Sequence, residues 1–283
     1  MINRNLFILS IGQTFSFTAP VVNILLSGII GSQLININYL ATLPTAMMVV
    51  GVASSTLIAS KIMSIKGRRY GFLLASLVSS LSSLLCAFAI FDSNFTIYCL
   101  GNFFIGFAIA FAQQYRFAAS ESVNKDNIPK AISMVLLLGI IAALIGSNIV
   151  SITEDLFYIK YVGSYISLSL LTLVPFFFFL FYKNLSSEKI NRNDNKKSIL
   201  SLFSNKQIVQ AISSAGVGYI VMSVIMTATP ISMHIFEDFT LFKTGIVIQL
   251  HVIGMFLPSL ITGDLIKKYG HSNMIYAGVF LLF

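Results

Sequence analysis

An arginine and a glutamine lie three residues apart inside a long apolar stretch. Arg116 and Gln113 both fall within 95–120, which is long enough to cross a membrane as a helix. A charge inside a membrane helix is costly and usually faces a water-filled cavity or a partner. At helical spacing the two side chains share a face, so they could line a path in which Arg116 binds an anionic group. The alternatives are that Arg116 pairs with a carboxylate, or that it extends to the lipid headgroups.

Four further polar residues fall inside other apolar stretches. Gln13 and Asn23 lie in the first stretch, and Gln249 and His251 lie in the last complete one. Imidazole titrates near neutral pH, so His251 could bind a proton or a solute. The two residues of the first stretch could line the same path. For each of the four, the alternative is a side chain whose hydrogen bonds are satisfied inside the protein.

The sequence carries none of the motifs that several classes of enzymes and pumps need. A Gly-rich phosphate loop with its lysine is absent, which argues against an ATP-driven pump. The sequence also contains no H-E-x-x-H motif, nucleophile elbow or cysteine–histidine cluster. Cys86 and Cys99 lie in apolar stretches and are expected to pack as small buried side chains. We therefore expect no enzymatic activity, no cofactor and no metal site.

The elements that position these residues are transmembrane helices. The chain has 283 residues, of which 56% are hydrophobic and 10% charged, whereas a soluble domain carries about 25% charged residues. The apolar residues form blocks of about twenty or more, enough to cross a hydrocarbon core of about 30 Å. We predict an all-α, polytopic bundle in a lipid bilayer. The predicted spans are 5–30, 36–60, 70–91, 95–120, 130–152, 159–182, 207–233, 243–266 and 273–283.

The basic residues are concentrated in alternate connections between these spans. Such a bias marks the cytoplasmic side, so we place the N-terminus and 183–206 in the cytoplasm, in a bacterial inner membrane. The net charge of +8 then reflects topology and not nucleic acid, because no basic stripe with interleaved aromatic residues is present. Of the 18 lysines and arginines, the 15 on the predicted cytoplasmic side are Arg4, Lys61, Lys66, Arg68, Arg69, Lys125, Lys130, Lys183, Lys189, Arg192, Lys196, Lys197, Lys206, Lys267 and Lys268.

Two similar turns point to an internal repeat. SKIMSIKGRRYG (Ser60–Gly71) precedes the third span, and GDLIKKYGHS (Gly263–Ser272) precedes the ninth. Gly67 and Gly270 occupy equivalent places, and six spans separate the two turns. This spacing predicts a six-helix unit duplicated in parallel. The predicted domains are a six-helix bundle (1–182), a basic linker (183–206) and a partial second bundle (207–283).

The first of these turns resembles the best-known motif of the major facilitator superfamily, Gly-x-x-x-Asp-x-x-Gly-Arg-Arg/Lys. Gly67, Arg68 and Arg69 match its second half, and Gly263 and Gly270 match the glycines in the second copy. The resemblance covers the whole chain. It implies a secondary transporter that moves a small solute by alternating access between two six-helix halves, with or without a coupling ion.

The same resemblance implies a cytoplasmic latch that stabilises one conformation. Its members would be Arg68 and Arg69 at the start of the third span and Glu121 at the end of the fourth, together with the glycines of both turns. The alternative is an ordinary solvated loop. A latch must differ in energy between the inward-facing and outward-facing states if it is to affect transport.

The sequence departs from the family pattern at several places. Ser64 and Lys267 stand where the two copies of the motif would have Asp, and Gly146 is followed by Ser147 where antiporters of the family carry Gly-Pro. Family members have twelve helices, whereas this sequence stops at Phe283, within the ninth. We therefore expect a truncated chain. The alternative function is that of a truncated or half-size membrane protein that binds a partner, or has no function, and does not transport.

Small residues recur every four positions on two of the predicted helices. Such stripes let membrane helices approach closely. They serve either as faces that move against the other half of a transporter or as static packing surfaces. The stripes are Gly51, Ser55 and Ala59 in the second span and Gly139, Ala143 and Ser147 in the fifth.

Overall fold

The computed structural model describes residues 3–184 and 203–282, and these form a helical bundle. Within those ranges no strand is present, and eight helices are long and apolar enough to cross a membrane. The prediction of an all-α, polytopic bundle is confirmed. Spans 1 to 8 are Arg4–Leu34, Leu43–Lys66, Arg68–Phe91, Phe95–Glu121, Lys125–Thr153, Val162–Phe179, Lys206–Phe236 and Leu241–Thr262.

Span 1 is interrupted near its middle. One helix covers Arg4–Ser16 and a second covers Thr18–Leu34, with Phe17 in the turn between them. Pro20 lies three residues beyond the turn and has no N–H to donate to the preceding helical turn. The interruption therefore lies where the hydrogen-bond ladder is weakest, at about the middle of a membrane-spanning element.

Span 4 is interrupted closer to its C-terminal end. Its helices cover Phe95–Ala112 and Tyr115–Glu121. The N–H of Gln114 donates to the carbonyl of Phe111 at 3.0 Å, which is the tighter, three-residue spacing of a 3₁₀ turn. The regular α-helical hydrogen bonding of span 4 is therefore interrupted at Gln113 and Gln114.

The remaining helices follow the predicted spans with shifted ends. Span 2 begins seven residues later than predicted, because a 3₁₀ turn at Asn38–Leu40 precedes it and a proline occupies its second position. The other α-helices are Leu43–Lys66, Arg68–Phe91, Ile128–Thr153, Val162–Phe179, Lys206–Ile231, Leu241–Phe256, Ser259–Tyr269 and His271–Leu282, with a 3₁₀ turn at Lys125–Asn127 and a π-helical turn at Ser232–Phe236.

The described residues group into two compact units. One contains 3–184 together with 227–260, and the other contains 203–226 together with 261–282. This grouping differs from the predicted one, since 227–260 packs with the first six spans. The predicted organisation into 1–182, 183–206 and 207–283 stays a prediction, and residues 185–202 of its linker lie outside the described residues.

Four aromatic rings pack together at the end of the bundle that carries Arg4, Lys66, Arg68 and Lys183, here called the basic end. Their centroids are 4.8 to 6.4 Å apart, and all four side chains are buried. One ring lies against Gly12 of span 1, where an added Cβ would meet it at 2.5 Å. The rings join spans 3, 4 and 6 to span 1, and they belong to Phe72, Tyr115, Phe179 and Tyr182.

Spans 2 and 4 cross at two glycines. A Cβ on Gly51 would lie 2.1 Å from the carbonyl oxygen of Phe103, and one on Gly106 would lie 2.0 Å from that of Met48. Neither distance leaves room for a side chain, so the two backbones are in direct contact, as small residues allow. The first stripe of small residues therefore serves as a packing surface within the first six spans.

The second stripe packs against span 8. A Cβ on Gly139 would meet the ring of Phe256 at 2.8 Å, and one on Gly245 would meet the Cβ of Ser147 at 3.1 Å. This contact brings a helix from beyond the polar linker against the first six spans. The contact is compatible with both alternatives for the stripe, a face that moves against the other half of the sequence and a static packing surface, and both stay predictions.

Candidate solute pathway

Span 1 carries two buried polar groups that have no hydrogen-bond partner within the described residues. They are the Nε2 of Gln13, whose residue is 2% exposed, and the Oγ of Ser10, one helical turn earlier. Leaving such a group unpaired costs about 1–3 kcal/mol. The two groups lie on adjacent turns of span 1, just before the interruption at Phe17. This part of the helix can therefore hydrogen-bond to a molecule that enters the bundle.

A buried hydrogen bond joins the interruptions of spans 1 and 4. The hydroxyl oxygens of Ser16 and Tyr115 lie 3.0 Å apart, and each residue is at the edge of its interruption. A small cavity of about 10 Å³ borders the same place, enough for about one water molecule. It is lined by Ser16, Ala75, Ser79, Ala108, Ile109 and Ala112.

The turn in span 4 falls between Gln113 and Arg116, and the sharing of one face by their side chains stays a prediction. Gln113 is partly buried beside the interruption, whereas Arg116 is exposed with its guanidinium 4.9 Å from the ring centroid of Phe117. Among the described residues, Arg116 makes no ion pair with a carboxylate. Binding of an anion and extension to the headgroups both need an exposed guanidinium, and both stay predictions.

Asn23 is fully buried and both atoms of its amide are engaged. Its Oδ1 accepts a hydrogen bond from the hydroxyl of Tyr165 at 3.0 Å, and its Nδ2 donates to the sulfur of Met48 at 3.0 Å. The Tyr165 oxygen lies 2.6 Å from that of Tyr98. In this conformation Asn23 therefore joins spans 1, 2, 4 and 6 and does not open onto a path.

The two polar residues of span 8 have different surroundings. The Nε2 of Gln249 donates to the Oγ of Ser147 at 2.6 Å, which ties span 8 to the stripe of small residues on span 5. The Nε2 of His251 is enclosed but has no hydrogen-bond partner among the described residues. Gln249 therefore forms a contact between spans 5 and 8, whereas the Nε2 of His251 is unpaired within the described residues.

The charge cluster expected at the basic end contains a bidentate ion pair. Arg68 donates from Nε and Nη2 to the two carboxylate oxygens of Glu121, at 2.6 and 2.5 Å. The side chain of Arg69 is exposed, and its backbone N–H donates to the Oδ1 of Asn184 at 2.9 Å. The contact that a latch requires is present. Its role as a latch stays a prediction.

The glycines of the two turns share a backbone conformation. Gly67 has φ +83° and Gly270 has φ +81°, a region that residues with a Cβ rarely adopt. Each ends one helix and is followed at once by another, while Gly263 lies within the helix Ser259–Tyr269. The matching conformations support the internal repeat that the sequence predicts.

A set of amide contacts lies at the basic end and leaves no signal in the sequence. Asn5 exchanges two hydrogen bonds with the backbone of Lys183, its Nδ2 donating at 2.8 Å and its Oδ1 accepting at 3.1 Å. Asn3 donates to the carbonyl of Ser122. These contacts fasten the start of span 1 to the ends of spans 4 and 6, and no periodicity in the sequence signals them.

The buried polar groups of the described bundle are all uncharged. They are Ser, Thr, Asn and Gln side chains, and no Asp, Glu, Lys or Arg is among them. Likewise, no group of three or more His, Cys, Asp or Glu in the described chain could hold a metal ion. The interior is therefore suited to recognition by neutral hydrogen bonds.

Comparison with known proteins decides the family. The model of the Major Facilitator Superfamily matches residues 6–283. The chain belongs to the major facilitator superfamily. The riboflavin transporter RfnT of Brucella anthropi is 31% identical over 99% of this chain and 71% of its own length. Two uncharacterized MFS-type transporters of Bacillus subtilis, YdeG and YddS, are 27% and 24% identical; the alignments cover 99% and 97% of this chain and 68% and 66% of theirs.

Membership of the major facilitator superfamily confirms the resemblance found in the sequence. The chain is an integral membrane protein of a transporter family and not an enzyme. A small-molecule solute and the membrane are the partners that this family implies. The polar groups on span 1 and at the turn of span 4 are thus candidate contacts for a solute.

Proposed function

We propose that the protein is a secondary transporter for a small, uncharged, hydrogen-bonding solute of the riboflavin class, working by alternating access. The observation that carries the proposal is a pair of buried groups on span 1, the Oγ of Ser10 and the Nε2 of Gln13. Neither has a hydrogen-bond partner among the described residues, and the described interior holds no buried charge. The relative named as a riboflavin transporter supports the choice of solute.

The chemistry of riboflavin fits these groups. It carries carbonyl oxygens and ring nitrogens on a planar ring system and hydroxyl groups on a flexible chain, and it has no net charge at neutral pH. The Nε2 of Gln13 can donate to a carbonyl, and the hydroxyl of Ser10 can donate or accept. A charged solute would need a compensating charge in the bundle, since burial of an unpaired charge is far more costly than burial of a neutral group.

Alternating access needs contacts that exist in one conformation and break in another. The interruptions at Phe17 and Gln113 supply points where spans 1 and 4 can bend, and the Arg68–Glu121 pair supplies a contact that can open. Arg116, exposed beside Phe117, then has no part in binding a neutral solute. These features support the proposed mechanism without depending on the identity of the solute.

Counterflow tests the proposal directly. The full chain is reconstituted in vesicles loaded with unlabelled riboflavin, and entry of labelled riboflavin is followed against protein-free vesicles. We expect a transient accumulation of label that an excess of external riboflavin abolishes. A flat trace from protein that is folded by circular dichroism and inserted by protease protection would overturn the proposal and favour a membrane protein without transport activity.

A further inference from the structure

We propose that His251 is the proton-binding residue that couples transport to the pH gradient across the membrane. The inference rests on the proposed transport function and adds the coupling ion to it. It follows from the position of the imidazole, from the unpaired state of its Nε2, and from the lack of any carboxylate at the same depth in the described spans.

His251 lies near the middle of the membrane. It is ten residues beyond Leu241, the first residue of span 8, so it lies about 15 Å along the helix at 1.5 Å per residue. That distance is about half of a hydrocarbon core of about 30 Å. An ionisable group at this depth is costly to keep and is a functional site by default.

The Nε2 of His251 is enclosed without a hydrogen-bond partner among the described residues. In the neutral ring a nitrogen either carries a hydrogen or offers a lone pair, and either state leaves this atom unsatisfied here. A proton that arrives by way of water, and an acceptor that follows it, would satisfy the atom. Protonation of this ring and its contact with an acceptor are therefore expected to occur together.

No carboxylate in the eight described spans can take this role at the same depth. The two that fall within span limits are Glu121, the last residue of span 4, and Asp126, the second residue of span 5. Glu121 is already paired with Arg68. His251 is thus the imidazole that lies near the middle of a described span.

The helices that pack most closely against span 8 leave this imidazole in uncharged surroundings. Span 5 has no titratable side chain from 131 to 153, and the second half of span 1 has none from 18 to 34. The ionisable groups on the elements in contact lie toward the span ends. They are Lys243 on span 8 itself, His234 in the π-helical turn, Lys125, Asp126 and Lys130 at the start of span 5, and Glu154 just beyond its end.

The coupling step is a reversible proton transfer. A hydronium ion on one side gives its proton to the free ring nitrogen, which leaves water and an imidazolium, and the reverse transfer releases the proton on the other side. The imidazolium is costly in the uncharged surroundings of this conformation, so it favours a conformation that exposes it to water or supplies an acceptor for its N–H groups, such as a solute carbonyl. Proton and solute then favour each other's binding by the same factor.

The test separates exchange from accumulation. Full-length protein in vesicles is assayed for riboflavin counterflow at equal pH on both sides, and for accumulation when a pH gradient of either sign is imposed. We expect His251→Gln to retain counterflow and to lose accumulation, because glutamine keeps hydrogen-bonding capacity but does not titrate. His234→Gln is the matched control, since its Nδ1 already lies 2.7 Å from the carbonyl oxygen of Phe239, and it should retain both activities.

Each remaining outcome counts against the proposal. Accumulation by H251Q equal to that of the unsubstituted protein would overturn it, as would loss of counterflow in a folded H251Q. His251→Asn is the second neutral replacement, for use where the glutamine variant does not fold. Counterflow without any response to pH in the unsubstituted protein would overturn the coupling alone, whereas absence of counterflow there would overturn the transport function itself.

Discussion

Arg68 holds Glu121 through two parallel hydrogen bonds of 2.6 and 2.5 Å, and this pair joins the first residue of span 3 to the last residue of span 4. The two residues are 53 positions apart in the sequence. Their side chains are 21% and 46% exposed, and an ion pair this exposed contributes at most about 1 kcal/mol to stability. The role of this pair as a latch stays a prediction.

The first prediction follows from that pair. Glu121→Gln should slow riboflavin counterflow, because one conformation loses its bidentate contact, while the midpoint of thermal unfolding changes little. The charge reversal Arg68→Glu with Glu121→Arg should restore most of the rate. Asp126→Asn, which removes a nearby exposed carboxylate, is the control and should leave the rate unchanged. Failure of the reversal to rescue either single variant would show that the pairing has no role in transport.

The second prediction concerns the glycine crossing of spans 2 and 4. Gly51→Ala would place a methyl group 2.1 Å from the carbonyl oxygen of Phe103, so a backbone must move, which typically costs about 1–3 kcal/mol. We expect a lower unfolding midpoint in detergent, and for Gly51→Leu a loss of folded protein. Gly216→Ala is the matched control, because no atom of the described residues lies within 4 Å of its added Cβ. Equal midpoints for both alanine variants would refute the close contact.

The third prediction is that a substitution of Gln13 raises the stability of the protein and lowers its affinity for riboflavin. Gln13→Leu removes a buried Nε2 that has no partner, so the protein should become more stable by about 1–3 kcal/mol, while riboflavin affinity in counterflow should fall. Thr14→Val, at the next position in the sequence, is the control, since the hydroxyl of Thr14 already donates to the carbonyl of Ser10 at 3.1 Å. This substitution should change neither the stability nor the riboflavin affinity strongly. A Gln13→Leu variant with unchanged affinity would exclude Gln13 as a solute contact.

The fourth prediction distinguishes Asn23 from Gln13. Tyr165→Phe removes the donor to the Oδ1 of Asn23 and leaves that atom buried and unpaired, at a cost of about 1–3 kcal/mol. The unfolding midpoint should fall while the apparent affinity for riboflavin is unchanged. Tyr39→Phe, at a side chain that is 82% exposed, should have no effect on either. A changed affinity with normal stability would instead return Asn23 to the solute pathway.

The fifth prediction concerns pH. Burial raises the pKa of Glu154 above its ordinary value, and the neighbouring carboxylate of Asp155 raises it further, against the opposing effects of Lys160 and His234. At low pH the carboxyl is protonated whether the chain is folded or not. As pH rises through the raised pKa, the folded state loses stability, because it disfavours the charged form. Glu154→Gln should therefore raise the unfolding midpoint at pH 7 and leave it unchanged at pH 4. Glu237→Gln, at an exposed position, is the control and should leave the unfolding midpoint unchanged at both pH values.

The sequence determined the membrane fold and the family. A block of about twenty apolar residues can satisfy its backbone hydrogen bonds in lipid only by forming a helix within itself, so span number depends on local composition and was predictable. The turn with Gly67, Arg68 and Arg69 was equally predictable from the sequence, since its residues are consecutive and its glycine needs a positive φ. The polar character of Gln13 and His251 could also be read directly.

Only the tertiary structure decided which of those polar groups are satisfied. Asn23 and Gln13 look alike in the sequence, yet the hydroxyl that donates to Asn23 belongs to Tyr165, 142 positions away, while the Nε2 of Gln13 has no partner in the described chain. The turn between Gln113 and Arg116 likewise leaves no signal in the apolar composition of span 4. Hydrogen bonds between distant spans depend on how the helices pack, and the packing depends on close contacts such as Gly51 with Phe103, which no local pattern of polarity records.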